Sequence, residues 1–295
     1  MSTVPALFSG LVDDAALFPP GNAPMARAVA EHRHHRAAPY ADLVGRFLCR
    51  DSRVGELAAA LGVGDDLRLG LIADQGAHEV ALTVASLRSR AVDDHATPWL
   101  DVRERVTVEA VEIPLANDDE LPSSVAVTAG IVPNVFTFLE IPRTPGWRDA
   151  IEACGATRVG AKLRTGGLVA GAFPTERELA DFISACVEHA VPFKCTAGLH
   201  HAVRHTAAFE YHGFLNILVA THAARTGADV LAAVAERDGH VLATACEEID
   251  AAPTRAAFLG YGSCSIAEPL EDLAALGLLD ANLLRYLPAV SEDHA

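Results

Sequence analysis

Two lysines stand in this chain, Lys162 and Lys194, and the rest of its 23 Lys+Arg are arginines. An arginine is always protonated, whereas a lysine can be made neutral by burial and then act as a nucleophile or base. A bias that spares two lysines singles them out for chemistry that a permanent cation cannot do. The chemistry in question is attack of a neutral amine on a carbonyl carbon to form a Schiff base. The plainer alternative is a lysine whose stem covers apolar surface while its ammonium reaches solvent.

The flanking segments say what must hold these residues. Residues 159–163 (VGAKL) read as a short buried strand, and Thr165-Gly166-Gly167 as a loop. Thr175 and Glu178 have the spacing of a capping box. Leu179, Phe182, Ile183, Cys186 and Val187 then follow one buried helix face. Residues 192–195 (PFKC) form the next strand. This strand–loop–helix–strand unit has the length of a βαβ crossover. It predicts the lysines near the carboxyl ends of neighbouring parallel strands, roughly 5 Å apart between backbones. Ligands bind at that edge in α/β folds. Two ammonium groups so close repel, and burial disfavours charge, so both effects are expected to lower a lysine pKa.

Strand patterns recur near residues 10, 45, 70, 109, 137, 160, 194 and 259, with helices between most of them. Eight β/α units predict a single (β/α)8 TIM-type barrel over residues 1–295, with an open doubly wound α/β sheet as the alternative. Residues 238–253 read as either a hairpin or an insertion, and the insertion is bounded at 226–254. Strand alternation predicts Glu109 and Glu112 on opposite faces. His32, His34 and His35 near a helix end read as a solvated face favoured by the helix dipole.

A barrel would bring a set of residues to one rim. Lys162, Lys194, Glu112 and Glu140 are the catalytic candidates, with His200 and His201 as proton shuttles. Arg164, Thr165, Gly166, Asp14 (or Asp13) and Arg46 (or Arg50) are candidates for substrate binding. Ser263 and Ser265 join them, because the turn that opens the final helix either offers its amides to an anion or simply caps the helix. A rival site is metallic. His200, His201 and His205, in a cluster that extends to His212, would with carboxylates suit a divalent ion such as Zn or Mn. The spacing within that loop matches neither HxH nor HExxH. The lysine reading requires no cofactor.

Lys162-Leu163-Arg164-Thr165-Gly166 and Lys194-Cys195-Thr196-Ala197-Gly198 resemble class I aldolases of the deoxyribose-phosphate aldolase type. In that family the Schiff-base lysine lies on the sixth barrel strand in a K-x-x-T-G pattern. A second lysine, on the seventh strand and followed by glycines, depresses its pKa. The resemblance covers about forty residues and implies a lyase or isomerase acting on a small oxygenated carbonyl compound, with Lys162 as the nucleophile. It departs at Leu163-Arg164, where the family has small polar residues, and at Leu199-His200-His201. The whole chain, with its DDAALFPPG and KCTAGLHH segments, resembles an uncharacterised bacterial family. A metal-dependent hydrolase or lyase is the second expectation, and a non-catalytic small-molecule-binding barrel the third.

The formal charge is −16. It argues against a general nucleic-acid surface or a polybasic membrane patch. Six cysteines without paired spacing are cytosolic usage. No basic region precedes a long apolar run at the start, and no apolar run reaches spanning length. The expected partner is a small-molecule substrate, with neither nucleic acid nor membrane; oligomers are allowed. The expected location is the cytoplasm.

Overall fold

The computed structural model describes residues 4–88, 102–116 and 120–288. Eight parallel strands close into a barrel: β1 (Val12–Asp14), β2 (Val44–Arg50), β3 (Leu67–Ile72), β4 (Val106–Pro114), β5 (Phe136–Glu140), β6 (Gly160–Arg164), β7 (Phe193–Thr196) and β10 (Phe258–Ser263). Each pairs with its sequence neighbour in the barrel, and β10 closes on β1. A two-stranded antiparallel ribbon, β8 (His205–Thr206) and β9 (Glu210–Tyr211), decorates the segment after β7. The closed barrel agrees with the eight strands read from the sequence and displaces the open-sheet alternative.

The crossover between the lysine strands forms as its residues dictate. The Glu178 amide donates to Thr175 Oγ1 at 3.2 Å, and the Thr175 amide donates to Glu178 Oε2 at 2.7 Å. This reciprocal cap opens the helix Glu176–Glu188, which buries Leu179, Phe182, Ile183 and Cys186 against the barrel. Phe182 meets Phe193 of β7 edge to face, and Phe193 stacks on Phe258 of β10. These apolar groups occupy the outward positions of the strands. Alternation then turns Lys162 and Lys194 inward.

Three local expectations change. Glu109 and Glu112 do not face opposite ways: the β3–β4 register shifts between Leu69 and Gly70, and both carboxylates join one network inside the barrel. An extra residue on one strand resets its alternation. His32 and His35 are not solvated. His32 is buried on Asp14, with Nδ1 at 2.9 Å from Oδ2, and His35 is buried on Tyr40. Residues 238–253 are not a hairpin, because the chain after 226 forms three short helices, Val230–Ala235, Gly239–Glu247 and Ala251–Ala257. The sequence after β3 reads as a helix from about Ala77 to Val92; it is seen as Ala77–Arg88, and residues 89–92 lie outside those described. Among the described residues no helix is long and apolar enough to cross a membrane.

Candidate active site

Lys162 and Lys194 are direct register partners on adjacent strands. They are 3% and 1% exposed, so they lie inside the barrel, with Arg164 and Thr196 above them toward the carboxyl end. The expectation of two rim lysines is corrected by one inward layer. Both strands reach two residues further than the lysines, and it is Arg164 that emerges at the mouth.

What surrounds them is a single file of alternating charge. Lys162 Nζ meets Glu112 Oε2 at 2.5 Å and Glu140 Oε2 at 2.9 Å. Lys194 Nζ meets the other Glu112 oxygen at 2.5 Å and Asp13 Oδ2 at 2.6 Å. Arg46 Nη1 reaches the same Asp13 oxygen at 3.4 Å, and Arg46 Nε lies 3.3 Å from Glu109. Glu109 in turn meets Arg68 at 3.2 Å. At the other end Arg164 stands 4.0 Å from Glu140. The order is Arg68, Glu109, Arg46, Asp13, Lys194, Glu112, Lys162, Glu140, Arg164. Arg68, near the amino end of β3, and Arg164, at the carboxyl end of β6, are 41% and 53% exposed in their side chains. The file therefore crosses the barrel from one face to the other, dry in the middle and wet at both ends.

Small residues make room for it. A Cβ on Gly45 would stand 2.3 Å from Asp13 Oδ1, which instead accepts the Arg46 amide at 2.7 Å. A Cβ on Gly160 would strike the Phe138 ring, over which the Lys194 ammonium sits at 5.5 Å from the centroid. The ring face adds modest cation–π attraction to the two carboxylates.

The electrostatics reverse the simplest expectation for paired lysines. Burial by itself pushes the Glu112 carboxyl up, but the charges and hydrogen bonds of Lys162 and Lys194 outweigh it and hold the carboxyl at about 2. Burial pushes Lys162 down, but Glu112 and Glu140 outweigh it, and its pKa is raised. The two ammonium groups do not confront each other because a carboxylate stands between them. Lys162 rests as a cation.

The remaining candidates divide. Glu112 and Glu140 both touch Lys162. Asp14 does not: its carboxylate turns out of the barrel to His32 and the Ala16 amide, and Asp13 faces the lysine instead. Arg46 has the right inward parity but the wrong height, being held low in the barrel by Asp13 and Glu109, while Arg50 ends the strand. Thr165 is fully buried and donates from Oγ1 to the Ala197 carbonyl at 2.7 Å, so it ties the β6 and β7 loops together. Gly166 serves the same junction, since a Cβ there would stand 2.9 Å from the Gly198 Cα. Ser263 Oγ donates to the Ser265 carbonyl, and Ser265 Oγ accepts the Glu268 amide, so these hydroxyls build the turn and cap rather than a substrate cradle.

The histidines take separate polar partners, with only the rings of His201 and His205 in contact among the candidate ligands. His200 Nδ1 lies 2.9 Å from Glu268 Oε2, His201 Nδ1 lies 3.1 Å from Asp272 Oδ2, and His205 stacks on Tyr211. His212 is fully buried; Nδ1 accepts from Arg204 and Nε2 donates to the Pro174 carbonyl at 2.8 Å. The expected ligand set of His200, His201 and His205 is therefore not assembled. Among the described residues no group of three or more His, Cys, Asp or Glu is arranged to hold a metal ion. Nδ1 of His200 and Nδ1 of His201 are each bonded to an acid on the helix Ala267–Ala275, and the proton-shuttle expectation is left without a contact to either lysine.

Sequence reasoning gave no part to Glu268, and it left Asp13 and Asp14 as alternatives. The doublet carried a usable signal, because consecutive strand residues point to opposite faces and only one can look inward. Compared with protein-family models, with curated proteins and with solved structures, the chain finds no match.

Proposed function

We propose that this protein is an aldolase-type lyase or isomerase that acts on a small oxygenated carbonyl compound through a Schiff base on Lys162. One observation carries the reading. The Lys162 ammonium is buried between two carboxylates, with a second lysine on the far side of one of them. Branched apolar side chains ordinarily fill this part of such a barrel. A buried ion pair is at best a weak source of stability compared with apolar packing of the same volume. Packing alone therefore gives little reason for an alternating file of charge here.

The arrangement suits a cation at the Lys162 nitrogen, and an iminium is such a cation. On arrival of the carbonyl, Glu140 takes the Lys162 proton at 2.9 Å and the neutral amine adds to the carbon. Return of that proton to the hydroxyl of the adduct expels water. The iminium then occupies the place of the ammonium between Glu112 and Glu140, and these fixed charges stabilise it without reorganising. Electron demand by the iminium permits cleavage of the adjacent carbon–carbon bond or removal of an adjacent proton. Glu140, at 19% side-chain exposure, is the carboxylate of the central set with most access to the mouth. Lys194 balances Glu112 from the other side and keeps it ionised.

The test is reductive trapping. Borohydride added to protein with a panel of small hydroxyaldehydes and hydroxyketones should leave a covalent adduct on Lys162 by peptide mass spectrometry. An adduct on Lys194 would exchange the two roles. No adduct with any member, in protein that is folded, would sink the proposal in favour of a binding barrel.

A further inference from the structure

Away from the lysine file, the carboxyl end of β10 carries a second cluster of reactive groups. Cys264 is the one cysteine among six that is not buried. Its sulfur lies 3.7 Å from His200 Nδ1 and 4.0 Å from Nε2. His200 Nδ1 is held at 2.9 Å by Glu268 Oε2, and the Glu268 backbone is fixed by Ser265 Oγ. Gly21 packs over the cysteine without a side chain; a Cβ there would stand 3.1 Å from that of Cys264. Sγ and the Glu268 carboxylate both lie nearest Nδ1, so the imidazole stands between a sulfur and a carboxylate, an electropositive setting of the kind that activates a cysteine nucleophile. His201 and Asp272, on the same loop and helix, pair with each other.

We propose that Cys264 is a second nucleophile, activated by His200 and Glu268, that adds reversibly to small aldehydes at the barrel mouth. The proposal shares with the lysine reading the class of compound that enters, but it needs no chemistry at Lys162. His200 holds the proton given up by the thiol, and Sγ bonds to the carbonyl carbon. The carbonyl π pair moves to oxygen, which receives the proton back from Nε2. The product is a hemithioacetal, formed by addition of S–H across C=O with no oxidant and no leaving group. The cluster keeps the imidazole protonated, with a pKa raised to about 10 by its bonds to Cys264 and then Glu268, against its burial, so it stands beside the sulfur as an imidazolium.

Alkylation by iodoacetamide at pH 6.5, mapped by peptide mass spectrometry, tests this. Cys264 should be the modified cysteine and should react roughly tenfold faster than glutathione, as thiols in electropositive, accessible settings do. His200→Asn and Glu268→Gln should each slow the reaction several-fold, about to the glutathione rate. Millimolar glycolaldehyde should slow alkylation equally in the native protein and in Lys162→Arg. Loss of protection in Lys162→Arg alone would show that the aldehyde is held by the lysine and would overturn the cysteine adduct. So would a native Cys264 rate no faster than glutathione, or His200→Asn labelling at the native rate. Should either cluster variant fail to fold, the native rate and the glycolaldehyde protection still decide the matter.

Discussion

The file of charge inside the barrel and the loop from Ala197 to Gly213 are both rich in titratable groups, but they are built in opposite ways. The loop takes its histidines from one short run of sequence, and the structure gives them separate polar partners, although the rings of His201 and His205 meet edge to face with centroids 4.9 Å apart. His200 and His201 go to two acids of one helix, His205 to a tyrosine ring, and His212 to Arg204 and a carbonyl. The file takes its groups from β1, β2, β3, β4, β5, β6 and β7, and the structure brings them into contact. In the interior each charge must find a partner, because an unpaired buried ion costs several kcal/mol. At the partly exposed His200, His201 and His205 water substitutes, and a neighbour in sequence need not be a partner in space.

The comparison breaks most visibly at Lys162. Lys162→Arg preserves charge but cannot supply a neutral amine, so turnover should fall on the order of 10⁴-fold or more. His201→Ala should change kcat little. Equal losses in the two variants would remove the distinction between file and loop. Glu112→Gln comes next. It leaves two buried ammonium groups without the carboxylate they share, and it should cost about 3–5 kcal/mol in denaturant unfolding. A loss under about 1 kcal/mol would mean that water reaches the file.

Acid unfolding separates the regions by pH. The folded Glu112 carboxyl lies at about 2, below its unfolded value, so its stabilisation is complete above pH ~4.3 and is lost as pH falls toward 2. That amounts to about 3 kcal/mol, and Glu112→Gln should lack this limb. His212 is pushed down to about 4, first by burial. It favours the folded state above pH ~6.5, and that contribution is lost as pH falls toward 4. His212→Gln should flatten the stability profile between pH 6.5 and 4 while leaving the lower limb intact. His35, also pushed to about 4 by burial, contributes to the same window and should remain. Smallest of all, His201→Ala should change stability by less than about 1 kcal/mol, because its pair with Asp272 is half-exposed.

The sequence by itself determined the barrel, the capped helix between the lysine strands, and the placing of Lys162 and Lys194 on neighbouring parallel strands. These follow from local alternation, helical period and cap spacing, which each segment carries within itself. The tertiary structure alone decided that Asp13 and not Asp14 meets Lys194, since the choice depends on which face of β1 looks inward. It alone put Glu109 on the same side as Glu112, through a register shift that only pairing with β3 reveals. It placed Arg46 low and Arg50 high, because height in a barrel depends on how each strand is staggered against the next. It also set a carboxylate between the two ammonium groups, which turned the expected fall of the Lys162 pKa into a rise. Long-range pairing decides which charges touch, and in a desolvated interior the nearest charge outweighs everything local sequence can say.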